Sequence, residues 1–278
     1  MTVSGTSNTY TGGTTIVRGT LAIGANDALP TGTTLNVDLS SAGEDSTFDL
    51  NGFSQEIGSL TRTGSGSGAG GSEVTNSSAT AGTLTLNQTA TTTYDGVISG
   101  NLALVKNNTG QITLSGANTY DGNTNINDGT VVVAHSTALG STNGSTTVTT
   151  GTAAQLRLDG TAGDLTIAEA LSVGARTGGS VIQNVAGNNT VTGAVTLTGG
   201  ADFRQSGGSN TFSGGITGTN TNLAFNGNYV VDTLPVNIGN GVFTTTSATT
   251  QLNVAGNAAG LLRINFGGEV QLLSLIHI

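Results

Sequence analysis

The chain has no cysteine and no tryptophan, only two prolines, and charged side chains make up just 8% of its 278 residues. Without cysteine there can be neither disulfide stapling nor a thiolate metal site. With 7 Lys+Arg against 16 Asp+Glu, the formal charge is −9. So few cations cannot build the basic surface that phosphate backbones require, which excludes nucleic acid as a partner. An anionic membrane surface is disfavoured for the same reason. The negative excess reads as solubility and resistance to aggregation. No apolar run approaches the ~18 residues of a membrane span. The stretch Met1–Gly13 has neither the cationic n-region nor the apolar core of a signal peptide, so none is expected there.

Glycine, at 45 residues, together with Thr, Ser and Asn, fills the space left by the missing charge. These residues favour turns and strands over helices. A polar, glycine-rich chain can remain disordered. Here Leu, Ile, Val and Phe still reach about 24%, above the roughly 20% below which disorder is the default, and they are regularly placed.

The stretch "NTYTGGTTIVRGTLAIGANDAL" (Asn8–Leu29) returns without a gap as "NTYDGNTNINDGTVVVAHSTAL" (Asn118–Leu139). Of 23 aligned positions through Pro30 and Gly140, 10 are identical, including Tyr10/Tyr120, Gly12/Gly122, Ile16/Ile126, Gly19/Gly129 and Leu29/Leu139. Such self-similarity is an architectural signal. A weaker pair links Thr91–Leu104 with Ser209–Phe225. Between these phrases apolar and polar residues alternate, as in Leu35/Val37, Leu84/Leu86, Leu102/Leu104, Ile112/Leu114, Leu156/Leu158, Val195/Leu197 and Val236/Ile238. Period two means strands with one buried face. No sustained i, i+3, i+4, i+7 pattern exists, so long helices are not expected.

Sandwich, barrel, propeller and solenoid all accommodate many short strands. A sandwich or barrel has no need of a 110-residue self-match, and a propeller would repeat at about 40–50 residues. A parallel β-solenoid explains the pattern most simply. Each coil of roughly 20–25 residues would add two or three strands at a spacing of about 4.8 Å, giving about a dozen coils. Gly12, Gly19, Gly122 and Gly129 are expected at sharp turns that need positive φ. Asn8/Asn118, Thr14/Thr124 and Thr20/Thr130 are expected to form hydrogen-bonded ladders between coils.

At Gly96–Gly140, "GVISGNLALVKNNTGQITLSGANTYDGNTNINDGTVVVAHSTALG" resembles the autotransporter-associated β-strand repeat, whose phrase runs roughly "ISG…L.K.G.G.L.LSG.NTY.G.T.I..G.L". The likeness is specific over about 45 residues. A partial copy covers Ser4–Leu50, and from about Thr161 to Gln271 composition and rhythm are shared more than motif. The resemblance implies a right-handed parallel β-helix, exported and displayed outside a Gram-negative outer membrane in the passenger region of an autotransporter or adhesin-like protein. A signal peptide, a passenger head and a C-terminal β-barrel with alternating ~10-residue strands are not found in the sequence. The expectation is therefore a fragment of a parent that carries the barrel, with no direct membrane insertion of its own. Residues 1–272 are expected to form one solenoid, with repeat phrases at about 4–50 and 96–160 and a flexible Gly/Ser loop at 63–72. Leu273–Ile278, "LSLIHI", breaks this grammar and reads as a non-native, sequencing-adapter-like tail.

No catalytic, cofactor-binding or metal-ligating residue is assigned. His135 stands apart from any acid or nucleophile recognisable by spacing, and its counterpart is Ala25; if His277 belongs to the tail, it is the one histidine. Arg157/Asp159 and Asp202/Arg204 sit at i, i+2 and share a strand face. These residue types are similar to those in the groove of pectinolytic β-helix enzymes, but the Asp clusters and Arg motif of that family are not seen. The plainer reading is a solvated pair worth at most about 1 kcal/mol. Glu44, Asp45 and Asp49 cluster at a spacing that suits a hard cation such as Ca²⁺, but the Asp-x-Asp-x-Asp-Gly pattern is missing and the plainer reading is a solvent-exposed loop. Thr63–Ser72, "TGSGSGAGGS", lacks the Gly-Lys-Ser/Thr of a phosphate loop. Tyr10, Tyr120, Tyr94 and Phe212 occupy equivalent positions; such rows stack on sugars or, more commonly, pack coil on coil. The expected function is a structural or adhesive stalk without catalysis, with host or environmental glycans or proteins as partners. The alternatives are a polysaccharide-active enzyme and a non-catalytic glycan-binding module.

Overall fold

The structure, a computed structural model, describes residues 1–38, 45–64, 71–177, 179–231, 236–246, 249–252, 261–265 and 269–272, with side chains described to residue 245. Its elements are all strands, and these are stacked in parallel as a β-solenoid of about 10 turns, close to the dozen coils expected. Among the described residues no helix is long and apolar enough to cross a membrane, which says nothing of β-barrels. The chain divides into two compact units, the first built from 1–131 and 137–144, the second from 132–136 and 145–278.

In the first unit one stack runs Thr2–Val3, Gly19–Ile23, Ser46–Asp49, Ser72–Asn76, Val97–Gly100. A second runs Gln55–Ile57, Gly82–Asn87, Leu102–Asn107, Thr124–Ile126. Shorter stacks join Thr14–Ile16, Thr34–Val37 and Ser59–Thr61, and Thr91–Tyr94 with Gln111–Leu114. In the second unit each coil contributes to three stacks. One begins Ser145–Val148, Ala170–Val173, Val195–Leu197. Another begins Gln155–Asp159, Ile182–Ala186, Ala201–Gln205. The third begins Thr166–Ile167, Asn188–Val191, Ser209–Phe212. The step between rungs varies. Thr91 lies opposite Gln111, 20 residues on, whereas Gln55 lies opposite Leu84, 29 on.

The alternation aims every second side chain inward. Leu84 and Leu104 form one interior column; Leu86, Lys106 and Ile126 form the next. These residues are buried, as are Leu102, Ile112 and Leu114. Each fully buried Leu or Ile contributes about 1.5–3 kcal/mol relative to exposure. In the second unit the interior turns aromatic. Phe225 stacks on Tyr229 at 4.4 Å between centroids, on Phe203 at 5.6 Å, and meets Phe243 edge-on at 5.3 Å. Such offset and edge contacts add about 0.5–1.5 kcal/mol per pair beyond area burial.

The two copies of the repeated phrase reproduce the same bonds. Asn8 Nδ2 donates to Ala28 O at 2.7 Å, and Asn118 Nδ2 to Ala138 O at 2.7 Å. The Tyr10 and Thr14 hydroxyls share a bond of 2.6 Å, as do those of Tyr120 and Thr124. Asn8 and Asn118 thus bond between coils, each to a backbone carbonyl 20 residues on, while the Tyr–Thr bonds stay within a rung. A side-chain ladder does form, but at Asn87–Asn107–Asn127, where Asn107 Nδ2 donates to Asn87 Oδ1 at 2.9 Å and Asn127 Nδ2 to Asn107 Oδ1 at 3.0 Å.

The glycine expectation divides. Gly19 and Gly129 adopt φ of 73° and 69°, the left-handed conformation that glycine enters at no steric cost. Gly12 and Gly122 do not. Gly122 is required for a different reason: a Cβ there would lie 2.4 Å from the Leu102 carbonyl oxygen on the neighbouring rung. At Gly12 a Cβ would meet nothing within 4 Å. Accordingly, Gly122→Ala should lower stability by about 1–3 kcal/mol, and Gly12→Ala by less than about 0.5 kcal/mol. Urea unfolding of the two variants measures the contrast, and equal effects would contradict this packing.

Candidate functional site

The solenoid interior holds more polar chemistry than its alternation announces. Where strands end and the chain turns, backbone carbonyls lose their ladder partners, and a buried carbonyl without a donor is costly. Inward side chains supply the donors. Gln88 Nε2 donates to Ala90 O at 3.0 Å and also to Thr92 Oγ1 and Gln111 O. Asn184 Nδ2 reaches Gly187 O at 3.0 Å and Gly207 O at 2.7 Å. Gln55 Nε2 reaches Leu29 O at 3.0 Å, and Asn76 Nδ2 reaches Thr80 O at 2.8 Å.

Lys106 does this with a charge. It is buried, and its Nζ donates to Asn107 O at 2.7 Å and Asn108 O at 2.6 Å, with Asp128 O at 3.4 Å and Gln88 O at 3.5 Å completing a carbonyl cage over successive turns. Burial holds the ammonium down at about 8, against the smaller upward pull of the Asp128 carboxylate. The cage carbonyls favour the charged form.

Glu169 is the opposite case. It is buried in the second unit, and neither carboxylate oxygen has a hydrogen-bond partner; the neighbouring Thr146 Oγ1 is also unpartnered. Burial raises the carboxyl to about 8, an effect that the nearness of the Thr146 hydroxyl only partly offsets. Sequence reading missed both groups, yet parity marked them: Lys106 follows Leu102 and Leu104, and Glu169 lies between Ile167 and Leu171.

The candidates named from sequence do not converge. Tyr94, Tyr120 and Phe212 are fully buried and pack inside the coils. Tyr10 is 43% exposed. His135 is half-buried, and among the described residues no group of three His, Asp or Glu could hold a metal ion. Arg157 Nε donates to Gln155 Oε1 at 2.7 Å, while Asp159 accepts from Thr161 N at 3.1 Å beyond a register shift at Leu158/Asp159. Arg204 eases the charge of Asp202, whose carboxyl burial raises. Arg157 lies opposite Gln183, and Gln183 opposite Arg204, so the two arginines share one outward column. Asp49 accepts from Asn51 N at 2.8 Å and from Ser77 Oγ at 2.6 Å, and Asp45 accepts from Gly71 N at 2.7 Å. These acids cap turns. Glu44, positions 65–70 of the Gly/Ser stretch, His277 and the 273–278 tail lie outside the described residues. An ion pair outside the sequence reading joins Arg62 to Asp95 at 2.7 Å.

A parallel β-solenoid whose rungs repeat one phrase is the class that fold and sequence define together. The family model for the passenger-associated-transport-repeat matches residues 1–23 and 104–133. Over 124 residues, 44% of this chain, the sequence is 39% identical to the "Adhesin BmaC autotransporter" of Brucella suis biovar 1 (strain 1330). The matched region spans 3% of that relative's length. No solved structure matches the chain. The chain thus carries repeats of the autotransporter passenger type.

Two outcomes are expected. Lys106→Met removes the donor from at least two buried carbonyls and should cost about 2–3 kcal/mol in urea unfolding; an unchanged midpoint would deny the cage its role. Glu169 has a folded value of about 8, raised from 4.5, so its stabilising contribution is full below pH 4.5 and is lost as pH rises through 8. Glu169→Gln should therefore match the parent near pH 4.5 and exceed it progressively toward pH 8, by on the order of 2–4 kcal/mol. Lys106 titrates in the opposite sense above about 8, and the parent-minus-variant difference cancels it. A flat difference curve would refute the buried, unpartnered carboxyl.

Proposed function

We propose that the chain is a stalk segment of a surface-displayed, outer-membrane-associated adhesin-type protein, acting by presentation and contact along its flanks and not by catalysis. The observation that carries this reading is where the repeat spends its chemistry. The identical residues of the two phrases, Asn8/Asn118 and Tyr10/Tyr120 among them, make rung-to-rung and intra-rung bonds. Of the four equivalent aromatics, Tyr94, Tyr120 and Phe212 are enclosed and unavailable to stack on a sugar. The passenger-repeat match and the likeness to an adhesin autotransporter support the surface placement. Host or environmental glycans or proteins are the partners that fit this role.

The test is direct. Purified chain incubated with acidic polysaccharides, with and without Ca²⁺, should yield no cleavage products, while beads coated with it should adhere to host cells or glycan surfaces more than uncoated beads. Polysaccharide turnover would replace the stalk reading with the enzymatic one, and absence of any adhesion would remove the adhesive part of it.

A further inference from the structure

Cations are scarce in this chain, and their placement is uneven. Of the 7 Lys and Arg residues, Arg157, Arg176 and Arg204 lie on consecutive coils of the second unit. Elsewhere, Lys106 is enclosed and Arg62 is paired with Asp95. Arg157 lies opposite Gln183, Gln183 opposite Arg204, and Arg204 opposite Asn226, all on the outward face of one stack. Rungs rise by about 4.8 Å, so the two arginines stand about 10 Å apart, with one amide between them and another beyond.

The column is supported from within. Gln155 is buried; its Nε2 donates to Ser180 O at 2.8 Å, and its Oε1 accepts from Arg157 Nε at 2.7 Å. Arg176 Nε donates to Ala153 O at 2.9 Å, beside the start of the Arg157 strand. Arg176 also crosses Gly179, where a Cβ would lie 3.0 Å from Nη1. Burial and, after it, the nearby charge of Arg176 lower the Arg157 guanidinium. An anion brought to two held cations relieves their repulsion. Of the neighbouring carboxylates, Asp159 accepts from Thr161 N and Oγ1 in its own turn. Burial raises the carboxyl of Asp202, against the pull of Arg204.

We propose that the outward column Arg157–Gln183–Arg204–Asn226, flanked by Arg176, is a docking strip for a linear, carboxylate-bearing polysaccharide lying along the stack. The proposal rests on the adhesive part of the stalk reading and names its ligand. A guanidinium fork matches a carboxylate bidentately, and the side-chain amides between suit sugar hydroxyls. The spacing of the two arginines is comparable with the repeat of a disaccharide, so carboxylates on alternate sugars meet successive arginines. The net charge of −9 decides against a densely charged polymer, which the rest of the surface repels.

The probe is a short oligogalacturonate, titrated calorimetrically into the whole chain, with the neutral galactose oligomer alongside. Binding of the acidic oligomer alone is expected. Arg157→Gln combined with Arg204→Gln should weaken it at least about tenfold. Arg157→Lys with Arg204→Lys keeps the charge but not the fork and should weaken it severalfold; should the Gln variant unfold, the Lys variant carries the comparison. Arg18→Glu, an equal change in net charge on the first unit, should leave binding unchanged. No binding, an equal loss in Arg18→Glu, or tighter binding of heparin or duplex DNA than of oligogalacturonate would each overturn the proposal. Beads that adhere to host cells while the chain binds no oligogalacturonate would leave the stalk reading standing and remove the strip. Oligogalacturonate binding without cell adhesion would do the reverse.

Discussion

In a parallel stack a rung satisfies its backbone only through the rungs on either side, because its N–H and C=O groups point along the stack. Most of what is unusual in this chain follows from that dependence. Along the strands the ladder is automatic. At the corners the carbonyls lose their partners, and the chain inserts Gln55, Asn76, Gln88, Lys106 and Asn184 as donors. Glycine serves where rungs approach too closely for a Cβ, as at Gly122. The low charge belongs to the same logic, since like charges one rung apart repel and few interior positions can hold a charge without a cage.

Period two was legible because the buried face is apolar over most of each strand: Leu102/Leu104 and Leu156/Leu158 lie inward as their spacing requires. The repeat was legible because the same bonds demand the same residues. Other features were not. Lys106 in "LALVKN" was passed over, although parity places it inside, where the Asn107 and Asn108 carbonyls and those of neighbouring turns hold it. Tyr10 and Tyr120 hold matching places in the repeated phrase and differ in exposure, because exposure depends on the neighbouring rung. The variable step between rungs, from 19 to 29 residues, also escaped the pattern. Loops at the corners lengthen it without disturbing the alternation of the strands.

The candidate site was legible mainly as residues without a common meeting place. Asp45 and Asp49 lie in a stretch whose plainer reading was an exposed loop, and there they serve as acceptors for turn N–H groups. The aromatic row left two readings, a sugar platform and the more common coil-on-coil packing, and the alternation that aligns Tyr94, Tyr120 and Phe212 turns them inward, as packing requires. In a solenoid, a conspicuous row in the sequence is more often the seam of the stack than its binding face.

The polar interior also resolves an ambiguity that apolar alternation cannot. A strand that slips by one residue turns its whole apolar set outward, and burial forbids it. A slip of two keeps every apolar side chain inside, and in a chain this repetitive it would cost little if the columns were uniform. They are not uniform. A two-residue slip of Leu102–Asn107 would take Lys106 from beside Leu86 and Ile126 to beside Leu84 and Thr124, away from the Gln88 and Asp128 carbonyls of the neighbouring turns. A buried ammonium that loses acceptors is costly. Asn184 would likewise be drawn away from the Gly207 carbonyl on its neighbouring rung. The donors that complete the corners therefore also fix the register, and a chain with few distinct apolar residues stacks in one alignment because its few buried polar ones fit in only one place.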